Sequence, residues 1–225
     1  MKHNDFSFGQ AQQDTEEQLL HKIAFLILLG YFIQKKLAEH GICEPYILYV
    51  GTLEPRKNIV SIIQAFDILK KKRDYRNLSL IIGGNFGWLY EEVESAIQSS
   101  SFHSSIKLLG PIEKDFINYL YNGAEVFVYP SFFEGFGFPP LEAQACGVPV
   151  IASNRTSLPE ILKDSAILVD PWRIDDLVLA LEEILGDEKL KDSLKEKGLE
   201  NIKRFSWDEG VRGIFRVWER VLGDI

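Results

Sequence analysis

The chain has 225 residues, 46% of them apolar, enough for one well-buried domain and a small appendage. A formal charge of -8 and a pI near 5.1 argue against broad electrostatic capture by nucleic acid or an anionic bilayer. Cys43 and Cys146 lie in unrelated contexts and suggest no disulfide framework, which fits a reducing cytoplasm, while His3, His21, His40 and His103 lack metal-ligand spacing, so no structural metal is expected.

Residues 1–18 are polar and rich in Gln, Asp and Glu, and are expected to be disordered. The following run from Ile23 to Ile33 is apolar all round and flanked by Lys22 and by Lys35-Lys36. Eleven helical residues span about 16 Å, roughly half a bilayer's hydrocarbon thickness, so a transmembrane helix is not expected. A helix packed on this domain or a partner, an interfacial anchor giving peripheral membrane contact, and a truncation remnant all stay open.

From Pro45 onward, short apolar runs alternate with amphipathic segments, as in parallel α/β units. Strands are predicted at Tyr46–Val50, Leu78–Ile82, Ile106–Leu109, Val126–Tyr129, Val148–Ala152 and Ala166–Val169. Helices are predicted at Asn58–Lys71, Leu89–Ser99, Lys114–Asn122, Pro140–Cys146 and Leu158–Leu162, then at Ile174–Leu185, Glu188–Arg204 and Trp207–Leu222. The expected fold is a doubly wound parallel sheet over residues 45–225, with residues 1–44 as a separate polar segment plus apolar helix. Such sheets bind ligands at the carboxyl ends of their strands. The basic cluster Lys70-Lys71-Lys72-Arg73 reads as a solvated helix end complementing the dipole.

The segment Ser131-Phe132-Phe133-Glu134-Gly135-Phe136-Gly137-Phe138-Pro139-Pro140-Leu141-Glu142-Ala143 carries most of the functional signal. It follows a buried strand ending in Pro130, and Pro139-Pro140 can open a helix but cannot sit inside one. Glu134 is therefore expected in the loop and Glu142 in the first helical turn. Gly135 and Gly137 allow close backbone approach, and a helix N-terminus favours anionic oxygens. An ordinary strand-to-helix connection with solvated glutamates would read similarly, so the wider pattern must decide.

That pattern includes Ala145-Cys146-Gly147-Val148-Pro149-Val150-Ile151-Ala152-Ser153 downstream, and Tyr46-Ile47-Leu48-Tyr49-Val50-Gly51-Thr52-Leu53-Glu54-Pro55-Arg56-Lys57-Asn58 upstream. Gly83-Gly84 with Trp88, Leu158-Pro159-Glu160 and Val169-Asp170-Pro171 complete it. In this order the segments resemble the retaining glycosyltransferases of family 4, whose two glutamates are spaced as Glu134 and Glu142 are. The resemblance implies one Rossmann-like half of a two-domain GT-B enzyme, the half that binds the nucleotide sugar, with extra N- and C-terminal helices. It also implies that the acceptor-binding half lies on a separate domain or another copy of the chain.

By that resemblance Glu142 accepts the ribose hydroxyls and Glu134 faces the donor sugar. Lys57 and Arg56 neutralise the diphosphate with Gly51, Thr52 and the amides of Phe136 and Gly137, and the Gly110-Pro111-Ile112 loop borders the base. Many members carry an arginine directly after the first loop's glycine, where this chain has Thr52. Its loop instead resembles a branch of bacterial mannosyltransferases acting on surface polysaccharides. The implied reaction moves a hexose, mannose favoured, from GDP-mannose or another nucleoside diphosphate sugar to a saccharide or polyprenyl-linked acceptor, with no cofactor and no metal. Arg56-Lys57 could alternatively form a solvated helix start, but two cations at the positive end of a helix call for an anion. Trp88 either lines the donor site or caps a helix, and Cys146 reads as core. A regulatory module that binds nucleotide sugars without turnover is the competing function. A nucleotide-binding domain of another group, such as an epimerase, fits the fold but not the full motif series.

Overall fold

The computed structural model describes residues 24, 27–43 and 45–222, and the expectation of disorder over 1–18 falls outside these. The chain divides into two compact units, Met1–Cys43 and Glu44–Ile225. In the first, residues 27–39 form a helix, α1, continuing through Lys35-Lys36, with Ile27, Leu28, Tyr31 and Phe32 exposed. No helix among the described residues is long and apolar enough to cross a membrane.

The second unit is a six-stranded parallel sheet with strands β1 (Tyr46–Val50), β2 (Ser79–Gly83), β3 (Ile106–Gly110), β4 (Val126–Tyr129), β5 (Val150–Ser153) and β6 (Ile167–Val169). Their order across the sheet is β3-β2-β1-β4-β5-β6. β1 and β4 are buried along their whole length, as their continuous apolar sequence demands of a sheet covered on both faces. The covering helices are α2 (Ile59–Lys70), α3 (Glu91–Ser99), α4 (Ile117–Asn122), α5 (Phe138–Ala145), α6 (Leu158–Leu162), α7 (Ile174–Gly186) and α8 (Glu188–Asn201), followed by α9 (Trp207–Leu222). Ile59, Ile62, Ile63, Phe66 and Leu69 give α2 a single buried stripe, which packs against α7. Every predicted strand and helix of this unit is present, with ends displaced by up to three residues.

Two local expectations are corrected. Lys70 does not form a solvated helix end: it is buried, and its ammonium donates to the carbonyls of Arg76 and Leu78 at 2.5 and 2.9 Å. The chain turns back over the end of α2 immediately after it, and these carbonyls need a donor. Glu142 lies one turn deeper than expected, because α5 starts at Phe138 and Glu142 is its fifth residue. Gly137, at φ 106°, makes the turn into the helix, and the adjacent prolines occupy first-turn positions that need no N–H.

Strand order reverses between β1 and β4, so the loops leaving their carboxyl ends diverge and open a crevice. Backbone hydrogen bonds fix the first of these loops to its neighbour. Gly51 N–H donates to Gly83 O at 3.0 Å, Leu53 N–H to Asn85 O at 2.9 Å, and Gly87 N–H to Leu53 O at 3.0 Å. Gly84 N–H continues the lacing to Gly110 O at 2.8 Å. At Gly84, with φ 140°, a Cβ atom would stand 1.9 Å from the Gly51 carbonyl oxygen, so the two loops meet where no other residue fits.

Candidate functional site

The crevice between β1 and β4 brings Arg56, Lys57 and Glu134 together. Arg56 and Lys57 occupy a short 3-10 turn, Pro55–Lys57, opened by proline and closed by Asn58 in the left-handed region at φ 57°. They thus precede α2 instead of belonging to it. Asn58 is buried, and its amide donates to Pro130 O at 3.2 Å and Pro171 O at 2.7 Å, tying the ends of three strands together. Phe132 N–H donates to Arg56 O at 2.8 Å, closing the β1 loop onto the β4 loop.

Lys57 is 6% exposed and Glu134 8%, and the Lys57 ammonium lies 2.6 Å from Glu134 Oε1 and 2.6 Å from the Tyr129 hydroxyl. Arg56 reaches Glu134 Oε2 at 3.3 Å, the Phe133 carbonyl at 2.9 Å and Glu54 at 2.7 Å. Glu134 and Glu54 are therefore the anion that two adjacent cations require, and the chain supplies it internally. Burial works against the Arg56 charge, but Glu134 and Glu54 outweigh it and hold its pKa above the usual value. Burial, then the nearby Glu134 carboxylate, pushes the Tyr129 hydroxyl well above the ordinary phenol range, so it stays protonated.

The second loop is shaped from below by the turn after β5. Glu134 N–H donates to Thr156 Oγ1 at 3.0 Å, and the Ser157 hydroxyl donates to the carbonyls of Glu134 and Phe136 at 3.1 and 2.8 Å. Among the described residues, the amides of Phe136 and Gly137 meet no acceptor, and both lie at the N-terminus of α5. Gly137 is buried with Leu158 against it: a Cβ there would be 2.6 Å from Leu158 Cδ2. Glu142 is exposed on α5, with Oε2 accepting from the buried Tyr121 hydroxyl at 2.9 Å.

The predicted residues do not form one contact cluster. Arg56, Lys57 and Glu134 touch. Gly51 and exposed Thr52 begin the loop that carries Arg56 and Lys57, and Tyr49 reaches back to the Thr52 carbonyl at 3.2 Å. Ile112 packs its side chain over Gly83, beyond β2. Trp88 is exposed and caps no helix, since α3 begins at Glu91. Cys146 is half-buried, and burial followed by the Glu142 charge raises its thiol pKa, which makes it a poor nucleophile. Sequence reasoning passed over Asn58 as a structural tie and also Tyr121, Tyr129, Thr156 and Ser157. The one available signal was a tyrosine ending an otherwise wholly apolar buried strand, because a buried phenol needs a polar partner. Among the described residues no three His, Cys, Asp or Glu side chains gather as a metal site would require.

A parallel sheet with a glycine turn, two cations and a carboxylate at its switch point defines a Rossmann-like ligand-binding domain. Residues 33–201 match the Glycosyl transferases group 1 family, and the chain belongs to it. It is 40% identical over 163 residues to an O-antigen chain mannosyltransferase B of Escherichia coli, covering 72% of this chain and 42% of that protein. A serotype-specific mannosyltransferase of the same organism is 31% identical over 78% of this chain and 22% of its own length. The chain thus spans less than half the length of these relatives. Among solved structures, a sucrose-phosphate synthase from Thermosynechococcus elongatus superposes with a TM-score of 0.72 at 26% identity, over 84% of this chain and 49% of that one. A Rickettsia africae glycosyltransferase shares the fold, with a TM-score of 0.75 at 18% identity over 85% of this chain and 52% of that one.

Proposed function

We propose that this chain is the donor-binding half of a retaining glycosyltransferase that moves a hexose, mannose favoured, from a nucleoside diphosphate sugar to a saccharide or lipid-linked acceptor. The observation that carries the reading is the Arg56-Lys57-Glu134 cluster, set between two laced glycine loops and the N-terminus of α5 in a chain of this family. The mannosyltransferase relatives support the choice of sugar.

The diphosphate would lie across the N-terminus of α5, accepting from the Phe136 and Gly137 amides. Arg56, 43% exposed, can turn to it from Glu54, and Lys57 retains one N–H beyond those given to Tyr129 and Glu134. As the sugar C1–O bond breaks, the electron pair leaves with the diphosphate, and charge grows on its oxygens. Cations held there stabilise the transition state more than the ground state. The acceptor hydroxyl attacks from the face the diphosphate leaves and passes its proton to a diphosphate oxygen. The protein orients both partners and fixes Glu134 beside the sugar. Two cationic side chains take the part of a divalent ion.

Calorimetric titration of the chain with GDP and with UDP tests the donor site. Binding of one of them at micromolar to submillimolar concentration, weakened about ten-fold or more by Lys57→Ala, is the expected result. No heat from either at millimolar nucleotide would remove the assignment. Transfer from GDP-mannose to a polyprenyl or oligosaccharide acceptor is expected only when an acceptor-binding domain is supplied.

A further inference from the structure

We propose that Tyr121 is a positioning residue for the sugar part of the nucleotide, holding Glu142 so that the carboxylate meets the ribose 2′ and 3′ hydroxyls in a fixed orientation. Tyr121 lies near the end of α4, 2% exposed, with its ring packed against Phe127 of β4 at 5.5 Å between centres. That packing leaves the phenol little freedom, and its hydroxyl emerges under α5 to donate to Glu142 Oε2 at 2.9 Å. A buried phenol needs an acceptor, and here the acceptor is an otherwise exposed side chain. Burial and the Glu142 charge keep the phenol protonated, so it remains the donor at any physiological pH.

An exposed glutamate on a helix samples several rotamers, and ordering it on ligand binding costs conformational entropy. With Oε2 held from below, Glu142 is already ordered. The carboxylate has about four acceptor sites; Tyr121 occupies one, leaving Oε1 and the second lone pair of Oε2 for two hydroxyls. Cys146, one helical turn on from Glu142, has a thiol too weak as a donor to substitute for the phenol. The inference rests on the donor-site reading above and adds a residue that makes no contact with the ligand itself.

The test is a ligand-truncation cycle on the full chain: titrations of GDP and UDP, each beside its 2′,3′-dideoxy form, with wild type, Tyr121→Phe, Glu142→Ala and the double variant. Wild type should prefer the ribose form by about ten-fold or more. Tyr121→Phe should shrink that preference to about three-fold or less while leaving dideoxynucleotide affinity within two-fold, and should add nothing in the Glu142→Ala background. Thermal unfolding of each variant confirms that a folded domain is being titrated. Equal weakening of both ligand forms by Tyr121→Phe would make the phenol merely structural, and unchanged binding of both would make it irrelevant; either overturns the proposal. A wild type that binds nucleotide without distinguishing the dideoxy form would overturn the Glu142 assignment, and a wild type that binds neither nucleotide would overturn the donor site. In both cases the inference falls with its premise, and the failure shows in the wild type alone.

Discussion

The Lys57 ammonium and the Glu134 carboxylate, 77 residues apart in sequence, form a buried ion pair at 2.6 Å that joins the loop after β1 to the loop after β4. Removing one member of such a pair strands a charge in a poorly solvated place, whereas removing both does not. Glu134→Gln should therefore cost about 3 kcal/mol of folding stability, and Lys57→Met with Glu134→Gln should recover much of it. Urea unfolding of the single and double variants measures both. A double variant as unstable as the sum of the singles would mean that the pair is not coupled.

Gly84→Ala should destabilise the domain by about 3 kcal/mol and abolish nucleotide binding together, because the added methyl meets the Gly51 carbonyl, a backbone atom of the first loop that cannot swing away. Gly135→Ala, where an added Cβ has nothing within 4 Å, serves as the control and should leave stability nearly unchanged. Chemical denaturation with a parallel GDP titration gives both readouts.

Stability should decline in alkali. Burial, then neighbouring charged and phenolic groups, raise the hydroxyl pKa values of Tyr49, Tyr121 and Tyr129 above the ordinary value near 10. The native state keeps protons that the unfolded chain gives up above pH 10. The corresponding stability is complete below that pH and is lost as pH rises, at up to about 1.4 kcal/mol per pH unit for each tyrosine. Urea midpoints between pH 9 and 11 should fall, and the fall should be shallower in Tyr129→Phe. An unchanged slope in that variant would contradict the assignment.

Nucleotide binding should survive chelation, since Arg56 and Lys57 are assigned the diphosphate. Titrations of GDP with EDTA and with magnesium should agree within about two-fold. Loss of binding in EDTA and its return with magnesium would show that a cation other than these side chains carries the contact.

Deleting residues 1–40 should leave GDP affinity within about two-fold, because among the described residues the polar contacts of the site lie in the unit Glu44–Ile225. Calorimetry on the shortened chain checks this, and liposome flotation of both lengths reports whether the Ile23–Ile33 run carries any affinity for membranes.

The fold was legible from the sequence because its strands are short apolar runs and its helices carry single stripes, patterns fixed by burial alone. The Arg56-Lys57 and Glu134 segments were legible as loops at strand ends for the same reason, and the family resemblance pointed to their residues. What pairs with what was not. In sequence alone the cations at Arg56 and Lys57 call for an external anion, since nothing local shows that Glu134, 77 residues on, arrives beside Lys57. Lys70 read as surface charge because the carbonyls of Arg76 and Leu78 that bury it come from a turn whose path no periodicity encodes. Beyond the strand-end position of Tyr129, nothing in the sequence pattern sets Tyr121 and Tyr129 apart. Their rings are core, while their hydroxyls serve Glu142 and Lys57, a division visible only once both ends of each side chain are placed.

Strands β1 to β3 are the first three in sequence and lie together on one side of the sheet, while β4 to β6 are the last three and lie on the other. Within the sheet the two halves thus meet along one seam, where Ile47 pairs with Val126 and Leu48 with Phe127, and α2 packs on α7 beside it. Lys57 and Arg56 belong to the first half, Glu134 and Glu142 to the second. A break in the exposed Glu113-Lys114-Asp115 turn would separate the chain into two pieces, each holding one wall of the crevice. Nucleotide bound between them would act as a molecular clasp, so the proposed donor site would report, in a fragment-complementation assay, whether the halves have come together.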